Sequence, residues 1–377
     1  MKFIHLSDLH IGKRVNDFSM LEDQAYILTE ILNIIDDVTP DAVLIAGDIY
    51  DKSIPTAEAV QLFDDFLTRL AKRAMTVFMV SGNHDSPERL SFGAQILSTS
   101  DVYISPVFDG KVKRVELEDS YGKLNVYMLP FIKPANVRRY FPDAEADSYD
   151  AAVKVVMESL DVDTSKRNLL IAHQFITGAE RSDSEEVSVG GLDNIDANVF
   201  DAFDYVALGH IHRPQKVGRE TIRYCGTPLK YSFSEVNHKK SVTVVTMEGK
   251  GNITIDTVAL TPKYDMRKIE GSYDEITWKK NYENTDTEDY MHITLKDEED
   301  ILDAIGRLRS IYPNIMKLEY DNARTRTHQE VDFDEHVEQK LPIQLYQEFY
   351  QMQNNQDLSD EQQEYLSDAI DKIWEAH

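Results

Sequence analysis

The chain contains 377 residues, of which 42% are hydrophobic and 28% are charged, which is enough apolar material for two or three globular domains. Its formal net charge of −27 argues against nucleic acid as a partner, because phosphate contacts need Lys and Arg, although binding is local and bound cations would offset part of this acidity. The single cysteine, Cys225, excludes an internal disulfide framework. No apolar run approaches the roughly 18 residues of a membrane span and no signal-like segment opens the chain, so we expect a cytoplasmic protein that does not contact a membrane.

The first 260 residues alternate between apolar, strand-like runs and segments with helical periodicity. Helices are predicted at 21–37, 56–74, 86–97 and 149–160. In the second of these, Val60, Phe63, Leu67 and Leu70 recur at helical spacing and form one apolar face. Short strands are predicted at 221–225, 241–248 and 253–260. We therefore predict one α/β domain over 1–260.

Five apolar runs in this domain each end in Asp, Asn or His. The runs are 3–6, 42–46, 77–80, 169–172 and 205–208. The polar residues that follow them are Asp8 and His10, Asp48, Asn83 with His84 and Asp85, His173, and His210 with His212. One such residue is usually a cap or a hydrogen-bonded loop residue, but five cases in one orientation are hard to explain by capping. Sites in open α/β sheets form where loops leave the carboxyl ends of strands, so we expect these side chains to converge.

These residue types suit a pair of divalent metal ions. Two metals about 3.5–4 Å apart need a bridging carboxylate and flanking ligands. The candidate ligands are Asp8, His10, Asp48, Asn83, His173, His210 and His212. Nitrogen and oxygen donors without thiolates favour Mn²⁺ or Fe²⁺ over a zinc–thiolate site.

Two of the residues at these strand ends have individual predicted roles. Asp48 follows a central-looking strand and is the candidate for the bridge, where two metals would acidify a water molecule into the nucleophile. His84 follows Asn83 directly and could face the substrate, where it would protonate a leaving oxygen or stabilise charge.

Four further polar residues have both a structural and a functional interpretation. His5 and His238 are expected to be hydrogen-bonded structural histidines rather than ligands. Asp85 could orient His84 or cap the helix that follows it. Asp51 could position a ligand or cap the next helix.

The remainder of the chain carries no motif of this kind. A boundary is predicted near 261–262, followed by a small α+β domain over 263–320 that would shape or cap the site. Its predicted elements are strands near 266–269, 290–295 and 315–320 and a helix at 298–311. A charged linker over 322–340 then leads to a predicted helix pair over 341–377.

The terminal helix pair is predicted from two apolar stripes. The stripe residues are Leu345, Phe349, Met352, Leu366, Ile370, Ile373 and Trp374. Isolated helices of this length are marginal, so the pair must pack either on the chain's own domain or on a partner protein.

Taken together, the motifs resemble the calcineurin-like metallophosphoesterase superfamily. They are DLH at 8–10, GDIYD at 47–51, GNHD at 82–85, His173 and GHIH at 209–212. The segments HLSDLHIGK at 5–13, SVGGLD at 188–193 and YCGTPLKYSFSE at 224–235 narrow the resemblance to nuclease subunits of bacterial DNA repair and recombination complexes. The resemblance implies a four-layer α/β/β/α sandwich with two Mn²⁺ ions, Mg²⁺ or Fe²⁺ being the other candidate metals.

The resemblance also implies roles for individual residues. Asp8, His10, Asp48 and His212 would hold one metal, and Asp48, Asn83, His173 and His210 would hold the other. His84 would be the catalytic histidine. Archaeal relatives carry a second histidine where this chain has Asp51, so that role is not transferred.

The implied activity is that of a Mn²⁺-dependent 3′–5′ exonuclease on duplex DNA and an endonuclease on single strands or hairpins. The implied partners are DNA, an SMC-like ATPase with long coiled coils that the terminal helix pair would contact, and a second copy of the chain, as a homodimer within a heterotetramer. Helices 56–74 and 86–97 flank the site loops. Leu62, Phe66 and Leu97 are therefore candidates for the dimer surface, with core packing as the alternative.

Two other functions are compatible with part of the pattern. A metallophosphoesterase that acts on a non-DNA phosphodiester or a phosphoprotein would use the same metal motifs, but it would not need a cap and a terminal helix pair. A non-catalytic scaffold with this fold would be expected to lose ligands, whereas all seven are present.

Overall fold

The computed structural model describes residues 1–185, 194–323 and 325, together with single positions from 343 to 366. The chain forms two compact units, Met1–Met266 and Arg267–His377. Of the predicted terminal stripes, Leu366 is described and is half-buried in helical conformation. Outside the described residues lie the 188–193 motif and Leu345, Phe349, Met352, Ile370, Ile373 and Trp374.

The first unit contains all the strands whose ends carry the predicted ligands. Its strands are β1 (Lys2–Leu6), β2 (Arg14–Val15), β3 (Phe18–Ser19), β4 (Ala42–Ala46), β5 (Thr76–Val80), β6 (Val102–Ile104), β7 (Lys113–Asp119), β8 (Gly122–Leu129), β9 (Arg167–His173), β10 (Tyr205–Gly209), β11 (Gln215–Val217), β12 (Arg219–Tyr224), β13 (Ser241–Met247) and β14 (Ile253–Ala259). Its helices are α1 (Leu21–Val38), α2 (Ala57–Ala71), α3 (Pro87–Leu90), α4 (Ala94–Leu97), α5 (Pro134–Arg138) and α6 (Tyr149–Glu158), with 3₁₀ turns at Ser98–Ser100, Ala197–Phe200 and Phe233–Glu235.

Local sequence explains where the main helices begin and where one predicted helix breaks. The Thr56 side chain accepts a hydrogen bond from the amide of Ala59 and so caps α2. The helix predicted at 86–97 is instead two short helices, because Gly93 between them adopts a left-handed φ of +73°.

The structure corrects one residue of the predicted dimer surface. Phe66 is only 1% exposed and lies on the buried face of α2 with Phe63 and Leu70. Its side chain belongs to the core of its own unit and is not available to a partner. Leu62 and Leu97 are partly exposed.

Two six-stranded sheets organise the first unit. Their strand orders are β14-β13-β1-β4-β5-β6 and β11-β12-β10-β9-β8-β7. Strands β1, β4, β5 and β6 run parallel in the first sheet, and β8, β9, β10 and β12 run parallel in the second. Within each sheet, the carboxyl ends of these strands therefore meet at one edge.

The two sheets pack against each other and are covered on their outer faces by helices. The core between the sheets includes Phe3, Leu44 and Phe78 from the first and Val126, Leu169 and Ala207 from the second. Alternate residues of a strand point to opposite faces of its sheet, so each sheet has a second apolar face. The second face of the second sheet packs with α6, and α2 packs against β5 of the first sheet. This arrangement confirms the predicted α/β/β/α sandwich.

The second unit contains a three-stranded sheet and short helices. Its elements are β15 (Met266–Gly271), α7 (Tyr273–Thr277), α8 (Lys279–Tyr282), β16 (Tyr290–Leu295), α9 (Ala304–Arg309) and β17 (Ile315–Tyr320), with strand order β15-β16-β17. The helix predicted at 298–311 is shorter than expected. Glu298 accepts a hydrogen bond from the amide of Ala323, and Asp303 has a left-handed φ of 52°, so the helix begins only at Ala304. Among the described residues, no helix is both long and apolar enough to span a membrane.

Candidate metal centre

The structure brings all seven predicted ligands and His84 together in the first unit. They lie on the loops after β1, β4, β5 and β10 and on the last residue of β9. Apart from the partly exposed Asn83 and His84, they are buried. Residues from both sheets therefore build one site.

Glycines allow these loops to approach closely. The amide of Asp8 donates to the carbonyl of Gly47 at 3.0 Å, so the loops after β1 and β4 run side by side. A Cβ atom on Gly82 would lie 2.1 Å from Asp48 Oδ1, and one on Gly209 would lie 1.8 Å from the carbonyl oxygen of Ala46. The glycines in the GN and GH motifs are thus required because a side chain at either position would collide with neighbouring atoms of the site.

One group of donors lies between the loops after β1 and β10. The Nε2 atoms of His10 and His212 are 3.1 Å apart. The single amide N–H of His210 donates a bifurcated hydrogen bond to both carboxylate oxygens of Asp8, at 3.0 and 3.2 Å, and Asp8 also accepts from the hydroxyl of Ser7. Single donor atoms of Asp8, His10 and His212 all lie within 4.8 Å of one another, a grouping that can hold a metal ion.

A second group surrounds Asn83. Its Oδ1 atom lies 3.0 Å from His173 Nε2 and 2.9 Å from His210 Nδ1. Asp48 Oδ2 lies 3.3 Å from His173 Nε2 on this side and 3.7 Å from His10 Nε2 on the other. The Asp48 carboxylate therefore contacts both groups.

The two buried carboxylates of the site have pKa values shifted in opposite directions. Burial raises the pKa of Asp8 to about 6. Burial also disfavours ionised Asp48, but the charge and hydrogen bond of His173, with His10 and His84, outweigh it and lower the pKa of Asp48. For His173, burial lowers the pKa, but Asp48 more than offsets it and raises the value to about 9. Oxygens that stabilise an extra proton on a buried imidazole also stabilise a metal cation.

Backbone conformation at the site is unusual for residues other than glycine. Asp8, His10, Asp48 and His210 have φ values of 51°, 44°, 48° and 105°. Such conformations each cost about 1–3 kcal/mol and persist where the surroundings enforce them, often at functional sites. Here the loop contacts enforce them.

His84 is anchored by its backbone and by one ring nitrogen. Its amide donates to Asp48 Oδ1 at 2.9 Å. Its Nδ1 lies 2.9 Å from the carbonyl oxygen of Asp51, which can only accept, so Nδ1 carries the proton. The other nitrogen, Nε2, lies 4.0 Å from Asp48 Oδ2 and faces the donor groups.

Asp85 has neither of the contacts expected from the sequence. Among the described residues, it accepts from the amides of Gly82, Ile49 and Tyr50 at 2.9, 3.2 and 3.0 Å, and not from His84. Ser86 caps the following helix instead. Asp85 therefore ties together the loops after β4 and β5.

The remaining residues near the motifs have mainly structural contacts. The side chain of Asp51 pairs with Lys13 at 2.8 Å and lies 3.8 Å from His10 Nδ1. His5 contacts Tyr205 Oη at 3.0 Å and the Leu208 carbonyl at 3.1 Å, as expected of a structural histidine. His238 lies 3.9 Å from Glu235 Oε2 and is not part of the three residue groups that can hold a metal ion.

The donor set fits a pair of divalent cations. Carboxylate, amide oxygen and imidazole are the ligands of first-row divalent metals, and no thiolate takes part. Three overlapping groups can each hold an ion, namely Asp8, His10 and His212; His10, Asp48 and His84; and Asp8, Asp48 and His173. These Asp and His residues thus form a site that can hold two metals.

Sequence reasoning missed a layer of polar residues directly behind the ligands. It includes Ser7, Gln24, Ser184, Glu185, Tyr231, Glu235 and Lys240. The signal that could have found part of it is the 224–235 segment, which was one of the motifs of the sequence and contains Thr227, Tyr231 and Glu235. All three are buried.

The fold and site are those of a metal-dependent phosphoesterase, and comparison with known proteins agrees. A family model described as calcineurin-like phosphoesterase matches residues 1–214. A second model, described as type 5 capsule protein repressor C-terminal domain, matches residues 262–354.

Among individual relatives, the D subunit of the nuclease SbcCD from Staphylococcus epidermidis is 32% identical over 380 residues and is matched over 99% of both chains. Solved structures with partial similarity include a dimetal phosphatase from Danio rerio, 12% identical with a TM-score of 0.42, and the protein TT1561 of Thermus thermophilus, 12% identical with a TM-score of 0.38. They cover 69% and 68% of this chain and 99% and 98% of their own. The chain belongs to the calcineurin-like phosphoesterases and, within them, to the SbcD nuclease subunits, and it is a metal-dependent phosphodiester hydrolase.

Proposed function

We propose that the protein is the nuclease subunit of a DNA repair and recombination complex and hydrolyses DNA phosphodiesters with two Mn²⁺ ions. The observation that carries the two-metal assignment is the position of Asp48 Oδ2, 3.3 Å from His173 Nε2 and 3.7 Å from His10 Nε2. A carboxylate between two donor groups is what a bridged metal pair needs.

Each donor group supplies one metal position in this proposal. Asp8, His10, Asp48 and His212 would hold the first ion, and Asp48, Asn83, His173 and His210 would hold the second. Mn²⁺ suits the mixture of oxygen and imidazole donors, and Mg²⁺ and Fe²⁺ are the alternatives to compare.

The metals would supply Lewis-acid polarisation of the phosphate and lower the pKa of a water molecule. The protein's own contribution is position and proton transfer. His84 keeps Nδ1–H on the Asp51 carbonyl, so Nε2 is the nitrogen that can hold a proton for the leaving oxygen. Asp85 holds the loops after β4 and β5 together and thereby positions both Asp48 and His84.

The proposed substrates and partners follow from the family. We assign 3′–5′ exonuclease activity on duplex DNA and endonuclease activity on single-stranded or hairpin DNA. The proposed protein partner is an SbcC-type, SMC-like ATPase, and the proposed assembly is a homodimer of this chain within a heterotetramer. The name of the Staphylococcus epidermidis relative, a D subunit of the SbcCD nuclease, supports this partner.

The test compares the purified protein with two histidine variants on hairpin, single-stranded and duplex DNA with Mn²⁺. His84→Gln should keep metal and DNA binding but lower turnover about 10²–10⁴-fold, because a proton donor is lost. His292→Gln is the matched control, since His292 lies in the second unit and pairs with Glu319 at 2.7 Å, and it should cut at the wild-type rate.

Two results would contradict the proposal. Cleavage by His84→Gln at the wild-type rate would remove this residue from the mechanism. Hydrolysis of a generic phosphodiester or a phosphoprotein without cleavage of any of the three DNAs would favour the non-DNA alternative.

A further inference from the structure

A buried ion pair lies directly behind the donor group of His10 and His212. Glu235 is 0% exposed and Lys240 is 5% exposed. Their side chains pair at 2.5 Å. Burying two charges costs several kcal/mol each before their attraction is counted, so a pair of this kind is weak support for stability and invites a functional explanation.

Glu235 is connected to the imidazole of the metal-ligand candidate His212 through one hydroxyl group, and its Oε1 atom lies 3.6 Å from His212 Nδ1. Ser184 Oγ lies 2.6 Å from Glu235 Oε1 and 2.7 Å from His212 Nδ1. Glu235 Oε2 accepts a hydrogen bond from the Lys240 ammonium, and Oε1 also accepts one from the amide of Tyr231 at 3.3 Å. Both carboxylate oxygens therefore act as acceptors.

The direction of these hydrogen bonds fixes the proton on His212. Since Glu235 Oε1 accepts, the Ser184 hydroxyl must donate its single proton to the carboxylate. Ser184 Oγ can then only accept from His212, so Nδ1 carries the imidazole proton. The lone pair of neutral His212 is consequently on Nε2, the atom that lies 3.1 Å from His10 Nε2.

Further contacts hold the backbone of His212 in the same frame. Its amide donates to Glu185 Oε1 at 2.7 Å, and its carbonyl accepts from Lys240 Nζ at 2.8 Å. Lys240 also donates to Thr227 Oγ1 at 2.6 Å. The network thus forms hydrogen bonds with the amide, the carbonyl and Nδ1 of His212. Its Nε2 atom faces the other metal donors.

We propose that Ser184, Glu235 and Lys240 are positioning residues that fix His212 in the Nδ1–H tautomer, so that its Nε2 is available to the first metal ion. This hydrogen-bond network also gives a role to the 224–235 segment, which supplies Thr227, Tyr231 and Glu235. The inference rests on the proposed function only in taking His212 as a ligand. Partners that fix the tautomer of a metal-binding histidine typically contribute about 10–100-fold to metal affinity.

The direct test is the ring protonation of His212 in metal-free protein labelled with ¹⁵N-histidine. Two-bond ¹H–¹⁵N correlation spectra separate protonated from unprotonated ring nitrogens, and His212→Gln identifies the signal. The wild type should show a protonated Nδ1 and an unprotonated Nε2. Ser184→Ala should give a mixture of tautomers, and Ser184→Thr should restore the wild-type pattern, because it returns the hydroxyl.

A double variant tests the carboxylate without leaving an unpaired buried charge. Glu235→Leu with Lys240→Met removes both charges together. Ser184 is then free to donate to Nδ1, which would put the imidazole proton on Nε2. Calorimetric titration with Mn²⁺ should show about 10–100-fold weaker binding at one site in this variant and in Ser184→Ala. Ser234→Ala is the control and should bind Mn²⁺ as the wild type does. The Ser234 hydroxyl donates to Ser232 Oγ and accepts from the amide of Asp183, and it makes no hydrogen bond to Ser184, Glu235 or Lys240 among the described contacts.

The proposal would be overturned by a wild type with an unprotonated Nδ1 on His212. It would equally be overturned if Ser184→Ala and the double variant both kept the wild-type tautomer and both wild-type Mn²⁺ affinities. Absence of DNA cleavage by the wild type would contradict the proposed function instead, and would leave the tautomer measurement unaffected.

Discussion

The histidines of the first unit differ in role because their ring nitrogens face different partners. His10 and His212 direct Nε2 at each other across 3.1 Å. His5 uses both nitrogens within the core, where Leu208 O can only accept from Nε2–H and Tyr205 Oη–H then donates to Nδ1. The sequence distinguishes these roles by position. His5 lies inside an apolar run, whereas each histidine that is a ligand candidate comes after the end of an apolar run. The hydroxyl and the ion pair behind His212 come from distant segments, so no local pattern indicated them.

His5 provides a prediction of pH dependence. Burial lowers its pKa from 6.5 to about 3, so below pH 6.5 the unfolded chain binds a proton that the folded chain does not. The free energy of unfolding should therefore fall as pH decreases, by about 1.4 kcal/mol per pH unit at most. Between pH 6.5 and 5, metal-free wild type should lose about 1.5–2 kcal/mol more than His5→Gln.

Urea titrations followed by circular dichroism measure this difference. Tryptophan fluorescence would not report on it, because both tryptophans, Trp278 and Trp374, belong to the second unit. The account would be contradicted if the wild type and His5→Gln lost the same stability over this pH range.

At the scale of elements, the parallel strands and the loops after them carry the site. The apolar runs predicted at 42–46 and 205–208 are β4 and β10 almost residue for residue, because a buried parallel strand is a continuous apolar run. Strand β7 was not predicted, although its exposed charged residues alternate with half-buried ones, the pattern typical of a strand with one solvated face. Which strands share a sheet depends on long-range pairing that residue patterns do not encode.

An apolar surface formed by α2, α4 and the turn before α4 leads to a prediction at the scale of elements. Phe92 and Ile96 are 86% and 76% exposed, and beside them lies a groove of about 390 Å³ lined in part by Val60, Leu67 and Leu97. Exposed apolar surface of this kind typically marks an interaction site. We expect Phe92→Glu with Ile96→Glu to halve the mass measured by light scattering, because two charges would be buried in the proposed dimer contact.

The control for this variant is Leu302→Glu, which places a charge at an equally exposed leucine, 83% exposed, in the second unit. It should leave the mass unchanged. A dimer that persists with charges at both Phe92 and Ile96 would show that the two copies meet elsewhere.

At the scale of the whole molecule, the net charge of the chain and the local charge of the site have opposite effects on DNA binding. The net charge of −27 would repel DNA, whereas two bound divalent cations would make the site itself less negative. Composition therefore argued against the proposed substrate, DNA, whereas the family resemblance of the motifs favoured it. The boundary predicted near 261–262 and the division of the chain after Met266 lie in the same short segment.

The terminal helix pair predicted over 341–377 is expected to bind the ATPase. Deleting 341–377 should abolish co-purification with an SbcC-type ATPase and any ATP-dependent cutting, because the apolar stripes would be lost. Mn²⁺ binding and single-strand cleavage should remain, since every proposed ligand lies in the first unit.

Point variants separate this prediction from a general effect of truncation. Phe349→Asp should weaken co-purification, whereas Gln347→Asp, which adds the same charge between stripe positions, should not. Normal stoichiometry of the truncated protein with the ATPase would show that the contact lies elsewhere.

The central claim is that one carboxylate, Asp48, joins two metal positions, and Mn²⁺ titration of metal-free protein by calorimetry tests it most directly. The wild type and the exposed-carboxylate control Asp256→Ala should each bind two ions per chain. Asp48→Ala should lose high-affinity binding at both positions while circular dichroism stays unchanged, because Asp48 Oδ2 contacts donors of both groups. A wild type that binds a single ion, or an Asp48→Ala variant with two undiminished sites, would contradict the account.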